Sequence, residues 1–216
     1  MLRSVLLLGV GLLAVHPAVH ASILLNENFD GLAEGLTKTS AGAFSTIGGT
    51  NIDVVAGGYG LCNGPESGTC IDMSGTGGNY EGQLQSNMTF GPGNYLLSFN
   101  LIGSQRGRTS GVEVSFGDYD QTFTLTSGDL SSGIVTGVSA NVTAATHLLF
   151  RSINGQQLGL LLDSVVVSEA AAATPEPGTL ILGAVAIFVT FASARRPTAQ
   201  PKPHSTLVAL SGRGKF

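Results

Sequence analysis

Short runs of alternating apolar and polar residues recur between residues 22 and 169, and Gly, Asn, Asp and Ser separate them. A period of two predicts half-buried β-strands, because successive strand side chains point to opposite faces of a sheet. In the two clearest runs the apolar positions are Tyr95, Leu97, Phe99 and Leu101, then Val112, Val114 and Phe116. No useful stretch of helical periodicity interrupts the pattern, so it predicts an all-β domain built as an antiparallel β-sandwich.

The same pattern predicts further extended segments. They lie at Ile23–Phe29, Asn51–Val55, Gly82–Phe90, Phe123–Leu125, Leu148–Arg151 and Leu158–Val167. The last segment is apolar on both faces, which is typical of a strand in the middle of a sheet. The sequences Phe90–Asn94 and Gly117–Asp120 are rich in Gly, Asn and Asp and are predicted to be turns.

The chain opens with the features of an export signal. Arg3 precedes an apolar run from Val5 to Val15, and Val19 and Ala21 are apolar or small at the positions that signal peptidase recognises. Residues 1–21 are therefore predicted to be a signal peptide, and residues 22–169 the exported domain. This interpretation excludes a cytoplasmic enzyme.

The C-terminal part of the chain combines a linker, a Pro-Glu-Pro triplet, an uncharged run and two arginines. The linker and triplet span residues 170–177. The run that follows fits a single transmembrane helix over residues 178–196, with its basic end at the cytoplasmic face. The motif residues are Pro175, Glu176, Pro177, Arg195 and Arg196.

This order of parts resembles the PEP-CTERM sorting signal of exported bacterial proteins. The resemblance implies that an exosortase-type processing enzyme cuts near the triplet, so that the cytoplasmic membrane holds the chain transiently before it reaches the cell surface or the extracellular space. Residues 197–216 form a basic tail, expected to be disordered, that is longer than is usual in that family. A tail that hinders the cut would leave the protein anchored in the membrane, and an ordinary C-terminal anchor is the alternative.

Charge separates the exported domain from the ends of the chain. Residues 22–169 carry 13 acidic and four basic residues, a net charge of −9. Nucleic acid is excluded as a partner, since phosphates require a basic surface. An acidic exported domain is instead compatible with calcium, which selects carboxylate oxygens.

The two cysteines of the chain, Cys62 and Cys70, are eight positions apart in a Gly-rich part of the exported domain. In an oxidising compartment such a pair is expected to form one disulfide that closes a short loop. A metal site built on both thiolates would need further ligands, and His147 is the only histidine between residues 22 and 169.

Two sequence blocks, Leu96–Gly117 and Gly159–Val167, carry a second resemblance. They are similar to a group of PEP-CTERM proteins whose exported part is a jelly-roll domain, with a Gly-Ser-Gln-Arg-Gly-like loop, a Val-x-Val-Ser-Phe-Gly strand and a closing Leu-Leu-Asp-x-Val strand. The opening Asn26–Gly31 also resembles the start of galactose-binding-like and carbohydrate-binding modules. Both likenesses imply a jelly-roll β-sandwich.

In jelly-roll carbohydrate-binding modules a calcium ion often joins the first strand to the last. The matching positions are Glu27 and Asp30 at the start and Asp163 in the closing strand. Asp163 stands among apolar residues, where a carboxylate needs a metal, a hydrogen bond or a charged partner. The alternative is that Asp163 caps a loop or meets Arg151. Asp72 is expected to be a turn residue that bonds its own backbone.

The loop Gly103–Gly111 carries a candidate ligand site formed by Gln105, Arg106 and Arg108. An arginine presents a planar fork of donors that suits sugar hydroxyls or a carboxylated glycan. The alternative is a solvated hairpin tip. The chain has no tryptophan and four tyrosines, and a shortage of aromatic platforms argues against a lectin.

Nothing around His147 resembles a nucleophile elbow or a catalytic triad, so no enzyme activity is expected. The sequence predicts a noncatalytic surface or extracellular-matrix protein, and the family resemblance implies association with exopolysaccharide or another glycan. One alternative is a surface glycoside hydrolase or other extracellular hydrolase, which would need two suitably spaced carboxylates. A second is a purely structural envelope protein.

Overall fold

The computed structural model describes residues 21–63, 68–78 and 80–171. Within these ranges the chain forms thirteen β-strands and one 3₁₀ helix, Gly57–Tyr59. The predicted signal peptide up to residue 20 and the predicted sorting segment, with Pro175, Glu176, Pro177, Arg195 and Arg196, lie outside the described residues. No helix within the described ranges has the length and apolarity needed to span a membrane.

Thirteen strands follow one another along the described chain. They are β1 (Ile23–Glu27), β2 (Gly35–Lys38), β3 (Ser40–Ala41), β4 (Phe44–Thr46), β5 (Ile52–Val55), β6 (Cys70–Asp72), β7 (Gln83–Ser86), β8 (Gly93–Ile102), β9 (Ser110–Phe116), β10 (Tyr119–Leu125), β11 (Gly133–Val142), β12 (Leu149–Ile153) and β13 (Leu161–Glu169).

The described strands form two antiparallel sheets. The seven-stranded sheet has the order β11-β8-β13-β6-β5-β2, and β1 also pairs with β13. The six-stranded sheet has the order β10-β9-β12-β7-β4-β3. The prediction of an all-β antiparallel sandwich is confirmed. The closing strand is central, since β13 pairs with β8 on one edge and with β6 and then β1 on the other.

Aromatic rings from both sheets meet in the core between them. Phe99 of β8 packs against Phe150 of β12, with ring centroids 5.5 Å apart. Tyr95 of β8 packs against Phe116 of β9 at 5.5 Å. These edge-on and tilted contacts are the geometries that aromatic pairs prefer. The inward half of each alternating strand therefore joins one continuous core, and the outward half remains for the two outer faces.

A smaller apolar cluster lies on the outer face of the seven-stranded sheet. Ile71 and Leu162 belong to the main core, while their chain neighbours Cys70 and Leu161 belong to this second cluster. The cluster, called the outer layer here, consists of Val55, Leu61, Cys62, Cys70, Ile102 and Leu161. The predicted disulfide between Cys62 and Cys70 is confirmed, and it fixes the segment after β5 to β6.

Candidate functional site

The outer face of the six-stranded sheet carries a row of side chains that crosses neighbouring strands. Gln85 of β7 lies opposite Leu149 of β12, which in turn lies opposite Ser115 of β9. Their chain neighbours Leu84, Val114 and Phe150 are fully buried in the core. Alternation therefore turns the row outward. The register extends it to Ser45 on one side and Asp120 on the other.

A second outward row runs parallel to the first. It joins Gln83, Arg151, Glu113 and Thr122 in register across β7, β12, β9 and β10. The Arg151 guanidinium binds the Glu113 carboxylate, and Nε lies 2.8 Å from Oε2. The pair is partly exposed, with 50% of the Arg151 side chain accessible, so it orients two charged groups rather than adding much stability.

A recess of about 320 Å³ lies beside the first row. Gln85, Ser115 and Leu149 form part of its lining, and Thr146 and His147 form its rim. We call these two rows and the recess the polar face. Its amide, hydroxyl and charged groups both donate and accept hydrogen bonds, while Leu149 offers an apolar contact. This combination suits a ligand rich in hydroxyl groups.

Hydrogen bonds fix the ring of His147 at this rim. Nδ1 lies 2.8 Å from the Ser86 carbonyl oxygen and 3.1 Å from that of Met88. Since carbonyl oxygens only accept, Nδ1 carries the hydrogen. Nε2 then lies 3.3 Å from the Thr89 hydroxyl. His147 thus acts as a fixed part of the rim, and sequence patterns alone did not reveal that role.

The structure places two of the three loop residues predicted to bind ligand in contacts within the chain. Gln105 accepts a hydrogen bond from the Asn63 amide at 3.2 Å and donates one to the Asn63 carbonyl at 2.8 Å. Arg106 donates to the carboxylate of Asp72 at 2.5 Å. Nε of Arg108 is buried with no hydrogen-bond partner in the described part of the chain. Gln105 and Arg106 are thus bound to neighbouring segments of the chain, and ligand binding by this loop stays a prediction.

Asp72 is fully buried at the end of β6 and holds this arrangement together. Its Oδ1 accepts hydrogen bonds from the backbone amides of Ser74 at 3.0 Å and Gly159 at 3.1 Å. Burial raises the pKa of Asp72 from 3.8 to about 6, although the Arg106 charge acts to lower it. The bond to Ser74 is the predicted turn contact, but the pairing with Arg106 joins residues 34 positions apart and has no local sequence signal.

Asp53 lies directly opposite Asp72 in the pairing of β5 with β6. A glycoside hydrolase needs two carboxylates that reach the substrate. Asp53 is only 3% exposed, and its carboxylate accepts from the amides of Thr37 and Thr76. Asp53 and Asp72 are therefore both buried, and their carboxylates accept backbone hydrogen bonds that stabilise the fold.

The three carboxylates predicted to bind calcium have hydrogen-bond partners in the structure. Glu27 accepts from the amides of Phe29 at 3.0 Å and Ala43 at 2.8 Å. Asp30 accepts from Thr69. Asp163, 3% exposed, accepts from Asn100 at 3.1 Å, while Arg151 binds Glu113. No group of three or more His, Cys, Asp or Glu residues suited to a metal ion is found within the described ranges, so calcium binding stays a prediction.

No protein-family model matches the chain, and no curated protein matches it. Among solved structures, it is similar to the N-terminal CBM22-1–CBM22-2 tandem domain of Xyn10C from Paenibacillus barcinonensis. The two are 16% identical with a TM-score of 0.45, over 76% of this chain and 49% of that one. The chain thus spans about half the length of that structure.

Two further structures show a similar degree of likeness. The K3 cleaved adhesin domain of Lys-gingipain from Porphyromonas gingivalis is 17% identical with a TM-score of 0.42, over 68% of this chain and 100% of that one. The GH26-CBM35 β-(1,4)-mannanase of Podospora anserina is 12% identical with a TM-score of 0.37, over 70% of this chain and 28% of that one. Identities this low say nothing about a shared ligand.

Proposed function

We propose that this protein is a noncatalytic, exported surface or extracellular-matrix component whose jelly-roll domain binds a glycan at the polar face. One observation carries the proposal: the register aligns Gln85, Leu149 and Ser115 as one outward row beside a recess. Sugar hydroxyls are donors and acceptors at once, and an amide next to a hydroxyl and an apolar side chain complements both their edges and their C–H face.

The proposed location rests on the sequence signals and on the disulfide. Cys62 and Cys70 are almost completely buried within the outer layer, and a structural disulfide is typical of an oxidising compartment. We propose export through the predicted signal peptide and sorting by the PEP-CTERM segment. In this proposal an exosortase-type enzyme processes the chain, and the cytoplasmic membrane holds it until then.

Binding is tested by titrating the purified full-length protein with the exopolysaccharide of the producing strain and with a panel of defined oligosaccharides. The proposal predicts saturable binding to at least one of them. If neither the polysaccharide nor the panel binds, a purely structural envelope protein becomes the better description. Release of reducing sugar during the titration would instead identify a hydrolase.

Export and sorting are tested separately, by following the chain in cell fractions. The proposal predicts a shortened form at the surface or in the medium, and accumulation of a longer, membrane-bound form when Pro175, Glu176 and Pro177 are replaced by Ala. An unchanged distribution of the variant would contradict sorting through the triplet and leave glycan binding untouched.

A further inference from the structure

The ion pair of Arg151 and Glu113 on the polar face leaves part of each group available to a ligand. Nε and Nη2 of Arg151 both donate to the same oxygen, Oε2 of Glu113. Within the described ranges, Oε1 of Glu113 and Nη1 of Arg151 make no further hydrogen bond. A ligand on this face can therefore meet one acceptor and one donor side by side.

Both side chains of the pair are accessible. The exposed fraction is 50% for Arg151 and 22% for Glu113. Oε1 of Glu113 does not belong to the buried unpaired side-chain atoms of the described ranges, so it keeps accessible surface. A sugar with hydroxyl groups on adjacent carbons can donate to this oxygen with one hydroxyl and accept from Nη1 with the other.

Neutral polar groups continue the row on both sides of the pair. Gln83 of β7 lies opposite Arg151, and Thr122 of β10 lies opposite Glu113. Neighbouring strands are about 4.8 Å apart, so a single sugar ring that lies over β12 and β9 covers both charged groups at once. Its neighbours in a polysaccharide then meet the amide or the hydroxyl group at the ends of the row.

Charge decides which sugars this row accepts. Arg151 is the only Lys or Arg in the six described strands of this sheet. Glu113 neutralises it, and Asp120 adds a further carboxylate in the first row. An anionic sugar would have to displace Glu113 from Arg151 and leave two carboxylates close together. A neutral sugar leaves the ion pair intact.

We infer that the Arg151–Glu113 pair determines the specificity of the polar face, which selects neutral sugars with hydroxyl groups on adjacent carbons and rejects carboxylated ones. The inference rests on the proposed function, because it names the class of glycan for the same face. Glu113 has two roles in it: its Oε1 accepts a sugar hydroxyl, and its charge masks the one arginine that would attract an anionic glycan.

The test uses two forms of one polymer, so that linkage and length stay the same. In the neutral form the carboxyl groups of the exopolysaccharide are reduced to alcohols, and in the anionic form its primary hydroxyls are oxidised to carboxylates. Calorimetric titration of the full-length protein should show that wild type binds the neutral form at least about tenfold more tightly.

Glu113→Gln keeps the size of the side chain and removes its charge. We expect the preference for the neutral form to fall at least about tenfold, because the unmasked Arg151 now forms charge-assisted hydrogen bonds with carboxylates of the polymer. The double variant Glu113→Gln, Arg151→Gln should not gain this binding of the anionic form. Thermal unfolding of both variants should stay close to that of wild type, since a partly exposed pair contributes little to stability.

Glu169→Gln is the matched control. It makes the same substitution at an exposed position at the end of β13, in the other sheet, and should keep the preference of wild type. An equal change of preference in Glu169→Gln and Glu113→Gln would attribute the effect to total charge and overturn the inference.

The remaining outcomes separate this inference from the proposed function. A wild type that binds the anionic form as tightly as the neutral form, or more tightly, overturns the specificity and leaves glycan binding standing. An unchanged preference in Glu113→Gln overturns it as well, as does a gain of anionic binding in the double variant. If neither form nor the untreated polysaccharide binds, both proposals are contradicted.

Discussion

Arg106, in the loop that follows β8, forms an ion pair with Asp72 at the end of β6. The Asp72 carboxylate is inaccessible to solvent, while 26% of the Arg106 side chain is exposed. A buried ion pair contributes little net stability on its own, because desolvation offsets the attraction. Its main effect is to attach the Gly103–Gly111 loop to the sheet, and to make stability depend on pH.

That pH dependence has a definite sign. Burial raises the pKa of Asp72 from 3.8 to about 6 in the folded protein, so the folded state holds the proton more tightly than the unfolded chain. The contribution of Asp72 to stability is full below about pH 4 and is lost as the pH rises through about 6. We expect the free energy of unfolding of wild type, relative to Asp72→Asn, to fall by up to about 3 kcal/mol between pH 4 and pH 7.

Urea unfolding of both proteins at several pH values measures this difference. Asp120→Asn, at an exposed position of β10, is the matched control and should follow wild type across the range. Parallel profiles for wild type and Asp72→Asn would contradict the proposed linkage. If wild type lost stability more steeply than Asp72→Asn as the pH is lowered, the pH dependence would have the opposite sign, and the proposed linkage would be excluded.

Calcium binding is a second prediction that depends on single residues. If the ion joins the first and last strands as the resemblance implies, thermal unfolding of the full-length protein should shift upward with calcium relative to chelator, since a ligand bound only by the folded state stabilises it. The shift should disappear in Asp163→Ala. Equal unfolding midpoints of wild type with calcium and with chelator would contradict calcium binding. Glu27 and Asp163 would then be hydrogen-bond acceptors within the fold.

The hairpin from β9 to β10 shows how one position specifies an element. Gly117 has a φ of 62°, and a Cβ added there would lie 2.4 Å from the Asn141 carbonyl oxygen. Gly117→Ala therefore combines a strained backbone with a clash and should destabilise the protein by about 1–3 kcal/mol. Gly128→Ala is the control, since an added Cβ meets nothing within 4 Å there. A similar loss of stability in both variants, measured by urea unfolding, would contradict this explanation.

The disulfide gives a prediction for the segment between β5 and β6. Cys62 and Cys70 are separated by eight positions, and closing so short a loop stabilises the folded state by about 2–3 kcal/mol through the entropy of the unfolded chain. The double variant Cys62→Ser, Cys70→Ser should lose that amount in urea unfolding. Reductant should lower the stability of wild type similarly and leave the variant unchanged. Labelling of both thiols in the native protein without reductant would contradict the disulfide.

The elements that the sequence predicts best are those with uninterrupted alternation. The long strands β8 and β9 and the central β13 follow directly from their apolar positions, because one or both faces of each enter the core. Strand β11 is not among the predicted strands, since an irregularity in its pairing with β8 between Val135 and Val138 interrupts the period of two. Short strands such as β3 and β6 contain too few residues for a period to be recognised.

The candidate site shows the same limit. The polar face depends on which strands are neighbours, and the register of Gln85 with Leu149 joins residues far apart in the chain. Local patterns carry no information on such pairings. The arginines of the Gly103–Gly111 loop predict a ligand site, but only the fold shows that Arg106 turns inward to Asp72.

At the scale of the whole molecule, the sandwich presents two outer faces with different constructions. Loops and the outer layer cover part of the seven-stranded sheet. The six-stranded sheet exposes rows of polar side chains from most of its strands. An acidic domain of this kind can contact a neutral polymer through hydrogen bonds without relying on charge.

The most direct test of the account compares variants of the polar face in one calorimetric titration of the full-length protein with the exopolysaccharide. Gln85→Ala removes an outward amide. We expect this substitution to weaken binding about three- to tenfold, because it removes one or two hydrogen bonds to the glycan. Thr124→Ala alters an outward residue of β10 away from the recess and should bind as wild type does. Equal affinities for wild type and Gln85→Ala, or equal losses in both variants, would contradict the central claim that the polar face binds the glycan.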